Sequence, residues 1–256
     1  MYLTTRGLVL REVNYKEADK ILTVLTADHG KLTVKARGAL RKSSRIAGAS
    51  QLLAWSEMTL FENRGYYTLQ EAALLEQFDG LRTDLEGLAL GSYFAELLEA
   101  VSDEDSPENE LLRLGLNSLY ALARGLYSPA HIKSVFELRL MCLAGFAPEL
   151  SGCCVCGGQD FDRMVFGLNS GMLRCRSCPG EGPGISLPVC RDTVLAMRHI
   201  AEEDIGRCFA FSLGESQSRM LHELTEAYVT TQLERGFGAL NYWKTIRTIG
   251  DEHGSG

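Results

Sequence analysis

The segment Cys153-Cys154-Val155-Cys156 is followed, after eighteen residues, by Cys175-Arg176-Ser177-Cys178. A two-residue gap lets both thiolates of a turn bend onto one ion, and two such turns supply the four soft ligands of tetrahedral zinc. The pattern pins a small cross-linked module inside the chain, with Cys153, Cys156, Cys175 and Cys178 as ligands. Cys154 is a rival first ligand, but it leaves a single residue before Cys156 and a poorer chelate. Four thiolates close the shell, so one structural zinc ion is expected and no position remains for an activated water. An iron–sulfur cluster is the alternative occupant. Gly157-Gly158 and Pro179-Gly180 supply turns, and Met164-Val165-Phe166-Gly167 with Gly171-Met172-Leu173-Arg174 reads as a hairpin between the pairs, as in a zinc ribbon. Cys142, Cys190 and Cys208 read as small buried hydrophobes.

The metal reading depends on a reducing compartment, where patterned thiols are ligands more often than disulfides. The N-terminus has no basic segment leading into a long apolar run, and no secretory signal is visible. The longest stretch without Asp, Glu, Lys or Arg is Ile46–Ser56, eleven residues. A membrane-spanning helix needs about twenty apolar ones. A cytoplasmic location with no membrane partner is expected.

Residues 1–78 alternate with period two in short strands: Gly7–Val13, Lys20–Thr26, Lys31–Arg37, Leu52–Glu62 and Tyr66–Glu71. Asp28-His29-Gly30 and Asn63-Arg64-Gly65 are turn signals between them. Five strands is the count of an OB-fold barrel, and a sandwich needs about 100 residues. After Phe78 the period lengthens and helices take over. Thr83-Asp84-Leu85-Glu86 reads as a capping box, with Leu85, Leu88, Phe94, Leu97, Leu98 and Val101 on one side. Ser106-Pro107 and Ser128-Pro129 are further start signals, and the second helix is expected to stop at Gly145. The acidic run Asp103-Glu104-Asp105 reads as a solvated connection. Helices return at Arg191–Glu202 and Glu215–Arg235. The expected class is α+β and multi-domain: an OB-fold barrel over 1–78, a helical domain over 79–149 and 189–250, a four-cysteine zinc ribbon inserted at 150–188, and a fraying tail at 251–256.

The net charge is −7, which hides an asymmetry: +2 over residues 1–80, −6 over 81–150 and −3 over 151–256. Residues 29–56 hold Lys31, Lys35, Arg37, Arg41, Lys42 and Arg45 without one acid. Alternation along Lys31–Arg37 turns Leu32, Val34 and Ala36 to one face and Lys31, Thr33, Lys35 and Arg37 to the other. The flexible run Arg41-Lys42-Ser43-Ser44-Arg45 can bring three more cations to the rim. Such a strip suits a phosphate backbone; a solvated basic loop is the alternative. Tyr66 and Tyr67 are candidate stacking platforms that point to opposite faces, and Trp55 reads as core.

Catalytic patterns fail one by one. His222-Glu223-Leu224-Thr225-Glu226 carries Glu where a zinc protease needs its second His. No His-x-Glu is present for a deaminase. Gly30-Lys31-Leu32-Thr33 echoes the end of a phosphate loop, but Leu25 stands where the first Gly belongs. His29, His131, His199 and His253 are isolated in sequence and read as surface or packing residues. No enzyme is expected.

Barrel, helices and four-cysteine ribbon in this order resemble the bacterial RecO family of DNA repair proteins. The resemblance covers essentially the whole chain. It rests on the run from Gly7 to Ile21 containing Asn14-Tyr15-Lys16-Glu17-Ala18-Asp19, on Gly30–Gly38, on Phe136-Glu137-Leu138-Arg139-Leu140 with Gly145-Phe146-Ala147-Pro148-Glu149-Leu150, and on the cysteine pairs. It implies a recombination mediator in the bacterial cytoplasm, associated with the nucleoid. Such a mediator binds single- and double-stranded DNA, anneals complementary strands coated by single-strand-binding protein, and works with RecR to help load RecA. Lys31, Lys35, Arg37, Arg41, Lys42, Arg45 and Tyr66 are then the candidate DNA-binding residues. The resemblance also implies a receptor in the helical domain for the acidic, apolar C-terminal tail of single-strand-binding protein, with Arg124, Lys133 and Arg139 as candidate cations around the Val135–Phe136–Leu140 helix. A zinc-ribbon adaptor that joins protein partners without touching DNA is the competing reading.

Overall fold

Alternation of apolar and polar residues closes the N-terminal barrel. In the computed structural model, which describes residues 1–104, 106–107, 109–180 and 184–254, β1 (Tyr2–Tyr15), β2 (Asp19–Thr26), β3 (Gly30–Ala36), β4 (Trp55–Asn63) and β5 (Tyr66–Glu76) form a closed barrel in the order β1-β2-β3-β5-β4. All neighbours are antiparallel except β3 and β5, which are parallel. Inward residues Val9, Leu22, Val24, Leu32, Val34, Met58, Leu60 and Leu69 fill the interior. The loop after β3 seals one side, because Ala39, Ile46 and Ala54 join the same core.

That loop is ordered rather than flexible. Gly38 at φ +68° lets the chain turn, Arg41 N–H bonds the Gly38 carbonyl at 3.1 Å, and Ser44 N–H bonds that of Arg41 at 2.9 Å. Apolar anchors on both sides of Arg41–Arg45 explain the difference from the expected mobile run. Trp55 also departs from expectation. It is half-buried and outside the barrel core, because the inward register of β4 falls on Ser56, Met58 and Leu60.

The described chain divides into two compact units, residues 1–126 with the chain from Phe237 onward, and residues 127–236. In the first unit the barrel carries α1 (Asp79–Arg82), α2 (Leu85–Val101), α3 (Asn109–Ala123) and α7 (Gly238–Gly254). Asp84 rather than Thr83 caps α2. Asp84 is extended and its carboxylate accepts the Glu86 N–H at 3.1 Å, whereas the Thr83 hydroxyl donates back to the Gly80 carbonyl. Leu85 consequently faces solvent. Asp103 and Glu104 are exposed as expected of a solvated connection, while Asp105 lies outside the described residues, as does Glu108 beside the Ser106-Pro107 start signal. α7 packs on α2, burying Phe237, Leu240 and Trp243, with the Phe237 ring edge-on to Tyr93 at 5.5 Å. The helix is described as far as Gly254; residues 255–256 of the expected tail lie outside the described set.

In the second unit α4 (Pro129–Leu143), α5 (Arg191–Glu202) and α6 (Glu215–Gln232) pack together. Ser128 caps α4, accepting the His131 N–H at 3.3 Å, with Pro129 in the first position where its missing N–H is harmless. Gly145 at φ +87° ends it, and Phe146 N–H returns to the Met141 carbonyl at 2.8 Å. The insertion is a sheet in the order β6-β8-β7-β9, built from β6 (Glu149–Cys153), β7 (Met164–Gly167), β8 (Met172–Cys175) and β9 (Ser186–Val189). Cys208 is buried as expected, but Cys142 and Cys190 are half-buried, and Cys190 occupies the N-cap position of α5 with its sulfur 3.2 Å from the Thr193 hydroxyl.

Candidate nucleic-acid interface and metal centre

The four-cysteine cluster, a candidate metal centre, is assembled by two backbone turns. Cys153 N–H bonds the Gly158 carbonyl at 2.9 Å and Gly157 N–H returns to the Cys153 carbonyl at 2.8 Å, while Cys178 N–H bonds the Cys175 carbonyl at 3.1 Å. A Cβ on Gly158 would stand 3.3 Å from the Cys156 sulfur, tighter than ordinary contact. The ligand atoms of Cys153, Cys156, Cys175 and Cys178 all lie within 4.8 Å of one another. The Cys156 and Cys175 sulfurs are 3.8 Å apart. Tetrahedral coordination with metal–sulfur bonds of about 2.3 Å puts neighbouring sulfurs at about that separation.

The Cys175 N–H donates to the Cys153 sulfur at 3.2 Å and holds that thiol down at about 6. Desolvation and the neighbouring sulfurs push Cys175 up to about 12. One thiolate forms readily at Cys153, and Cys175 and Cys178 need a cation beside them. The donor set therefore fits a soft metal ion. Cys154 is exposed and outside the cluster.

The barrel face is built by register. Val13 pairs with Ile21, Ile21 with Lys35, Lys35 with Thr68, Thr68 with Phe61, and Phe61 with Tyr2. These residues form one belt around the outside of the barrel, because directly paired residues share a face. Above it lies a cleft of about 530 Å³ lined by Tyr15, Ile21, Lys35, Arg37, Phe61 and Tyr66, among others. Tyr66 is 79% exposed, whereas Tyr67 packs against the barrel core while also reaching the cleft wall.

The cations predicted along this stretch separate into three groups. Lys35 and Arg37 line the cleft. Lys31 shares their strand face, but its ammonium donates to the Glu99 carbonyl at 2.8 Å near the end of α2, where Arg11 also pairs with the Glu99 carboxylate at 3.1 Å. Arg41, Lys42 and Arg45 are exposed on the ordered loop and do not line the cleft. Tyr15, Ile21 and Phe61 are not singled out by the sequence. Their signal is cross-strand pairing, which requires knowing that β3 meets β5.

The expected rim of cations on the helical domain is corrected by burial. Lys133 is fully buried, with its ammonium 2.8 Å from Glu137 and 3.0 Å from Glu226. Arg139 donates to the carbonyls of Ile200 and Ala201 at the end of α5. Both side chains turn inward because the α4 positions they occupy face α5 and α6. Arg124, in the other unit, is exposed with its guanidinium 5.5 Å from the Tyr120 ring centre. His131 and His199 are packing residues: their Nε2 atoms meet the Phe209 and Arg207 carbonyls at 2.9 and 3.2 Å.

Among the described residues no helix is long and apolar enough to cross a membrane. Residues 1–78 match the family described as Recombination protein O N terminal, and residues 82–241 match Recombination protein O C terminal. The chain is 35% identical to the DNA repair protein RecO of Acetivibrio thermocellus over 97% of its own length and 98% of that protein's. It is 35% identical to the RecO protein of Desulforudis audaxviator, covering 90% and 92%, and 30% identical to that of Symbiobacterium thermophilum, covering 94% and 96%. With a five-stranded barrel, a following helical part and both family halves matched in order, the chain belongs to the RecO family of DNA repair proteins.

Proposed function

We propose that this RecO-family chain binds single- and double-stranded DNA through the barrel, anneals complementary strands, and with RecR helps load RecA onto DNA coated by single-strand-binding protein. No covalent step is assigned to it. The observation that carries the reading is the convergence of Lys35, Arg37 and Tyr66 on one cleft of the barrel face. Cations there neutralise phosphates and release counterions, and an exposed ring offers a base a stacking surface. Arg41, Lys42 and Arg45 extend the positive surface on the loop after β3, while Lys31, bound to the Glu99 carbonyl, stands outside the cleft. The work is done with chromosomal DNA in the bacterial cytoplasm.

One zinc ion in the Cys153–Cys156–Cys175–Cys178 cluster ties the insertion together without taking part in any reaction, since four sulfurs leave no open position. For the acidic tail of single-strand-binding protein, Arg124 is the exposed cation of the three expected, and Lys133 and Arg139 act inside the fold.

Titration of a labelled single-stranded oligonucleotide at rising salt tests the reading. Affinity should fall steeply and linearly on logarithmic axes. Negligible binding at low salt, or indifference to salt, rejects it in favour of the adaptor.

A further inference from the structure

We propose that Arg174 is the positioning residue of the four-cysteine centre, its guanidinium standing in for a backbone bond that the second cysteine turn cannot make. The inference rests on the metal reading above and adds which side chain outside the ligand set governs how firmly the ion is held.

The two turns share the Cys-x2-Cys spacing and are closed differently. In the first, Gly157 stands four residues after Cys153 with φ at +71°, and its N–H returns to the Cys153 carbonyl at 2.8 Å. The Cys153 N–H bonds the Gly158 carbonyl at 2.9 Å, so this turn is tied by its own backbone. In the second turn the residue four after Cys175 is Pro179, which has no N–H to donate. The Cys175 N–H is also directed elsewhere, to the Cys153 sulfur at 3.2 Å. What the backbone provides there is the bond from the Cys178 N–H to the Cys175 carbonyl at 3.1 Å.

Arg174 supplies donors in their place. It lies on β8 directly before the first ligand of the turn, paired with Val165 on β7, so the hairpin fixes its backbone. Its Nη1 donates to the Cys178 carbonyl at 2.5 Å and to the Cys175 carbonyl at 3.3 Å, bridging the two ends of the turn. The chain beyond Pro179 passes the same group: a Cβ on Gly180 would lie 3.5 Å from Nη2. The first turn is therefore set by backbone, the second by a half-buried charged side chain.

That charge has its own consequence. Four thiolates around a divalent cation leave an excess of negative charge, and a guanidinium bonded to the carbonyls of two of those cysteines offsets it. The group is planar, rigid and always charged, so one nitrogen meets both carbonyls in a fixed geometry. Partners that orient ligands in this way change metal affinity by about 10–100-fold when removed.

The test measures three quantities on the full-length chain: the rate of zinc release to an excess of chromogenic chelator, the absorption spectrum of the Co(II) form, and the melting temperature of the metal-free protein. Arg174→Met, which keeps an apolar stem and removes the donors, should release zinc roughly tenfold faster. Its cobalt form should keep the sulfur-to-metal charge-transfer band while the d–d bands shift, since the four sulfurs stay and their geometry relaxes. Its metal-free melting temperature should equal that of the parent. Arg174→Lys keeps the charge without the planar fork, should release zinc at an intermediate rate, and carries the comparison if the methionine variant fails to fold. Arg176→Met removes an exposed cation from the same turn and should release zinc at the parent rate. Parent-like release by Arg174→Met, equal acceleration by Arg176→Met, or a metal-free protein destabilised as much as the zinc form overturns the positioning role and leaves the metal centre standing. A parent chain that takes up no stoichiometric metal removes the metal reading itself.

Discussion

The ammonium of Lys35 stands over the ring of Tyr15, 5.0 Å from its centre. Asp19, directly paired with Tyr15 across β1 and β2, approaches the same ammonium at 3.3 Å and also accepts the Gly38 N–H at 2.9 Å. That backbone bond, together with Lys35, holds the Asp19 carboxyl below the usual range. One carboxylate thus fixes both a cleft cation and the turn that carries the chain past Arg37.

Reversing Lys35 and Arg37 together to Glu should weaken DNA binding for all sequences alike, because phosphates carry no base identity. Each lost phosphate contact on a single strand should flatten the logarithmic salt dependence by about 0.7. Fluorescence anisotropy at several salt concentrations measures both effects. A loss confined to some sequences, or an unchanged salt slope, would count against a phosphate role.

How far this was legible in the sequence depends on how local each signal is. The alternation of β3 is local, and the structure buries Leu32, Val34 and Ala36 while leaving Thr33 and Arg37 exposed. The cysteine pairs are equally local, because each turn is closed by its own backbone bonds. Ser128 and Gly145 bracket α4 as their chemistry demands. The cleft is not local. Phe61 comes beside Lys35 only through Thr68, by one antiparallel and one parallel pairing. Lys133 shows the same limit: a cation on a helix reads as surface until Glu226, 93 positions further along, supplies its buried partner. The ordered loop at Arg41–Arg45 was hidden because its anchors, Ala39 and Ile46, are too few to make a periodic pattern.

Cys175→Ser should abolish tight metal binding and lower the melting temperature by on the order of 10 °C, since the free energy of a structural site is folding free energy. Cys154→Ser, which changes an exposed thiol outside the cluster, should leave both unchanged. Metal content by atomic absorption and thermal unfolding by circular dichroism decide the matter. Retention of stoichiometric metal by Cys175→Ser, or its loss from Cys154→Ser, would show that the ligands are misassigned.

Lys133→Met should be destabilising by about 3–5 kcal/mol, because it leaves Glu137, itself fully buried, without the ammonium 2.8 Å away. DNA affinity measured well below the melting temperature should stay at the parent value, since the side chain has no exposed surface. Chemical denaturation gives the first quantity and oligonucleotide titration the second. A variant as stable as the parent but weaker on DNA would place Lys133 on a binding surface after all.

Burial in the second unit holds His131 below the ordinary imidazole range, against the weaker pull of the Phe209 carbonyl in the opposite direction. The ring stacks on Tyr127 at 5.0 Å and meets Phe211 at 4.6 Å, so a charge there loses water without gaining a carboxylate. As pH falls through about 6.5 the unfolded chain takes up this proton first. The stability that neutral His131 provides is therefore complete above that pH and is lost progressively as pH drops toward the lower folded value. The melting temperature of the parent should decline between about pH 7 and pH 5. His131→Gln, which keeps a donor for the Phe209 carbonyl but does not titrate, should melt lower at neutral pH and decline less over the same interval. Parallel pH profiles for the two proteins would show that the acid sensitivity arises at other groups.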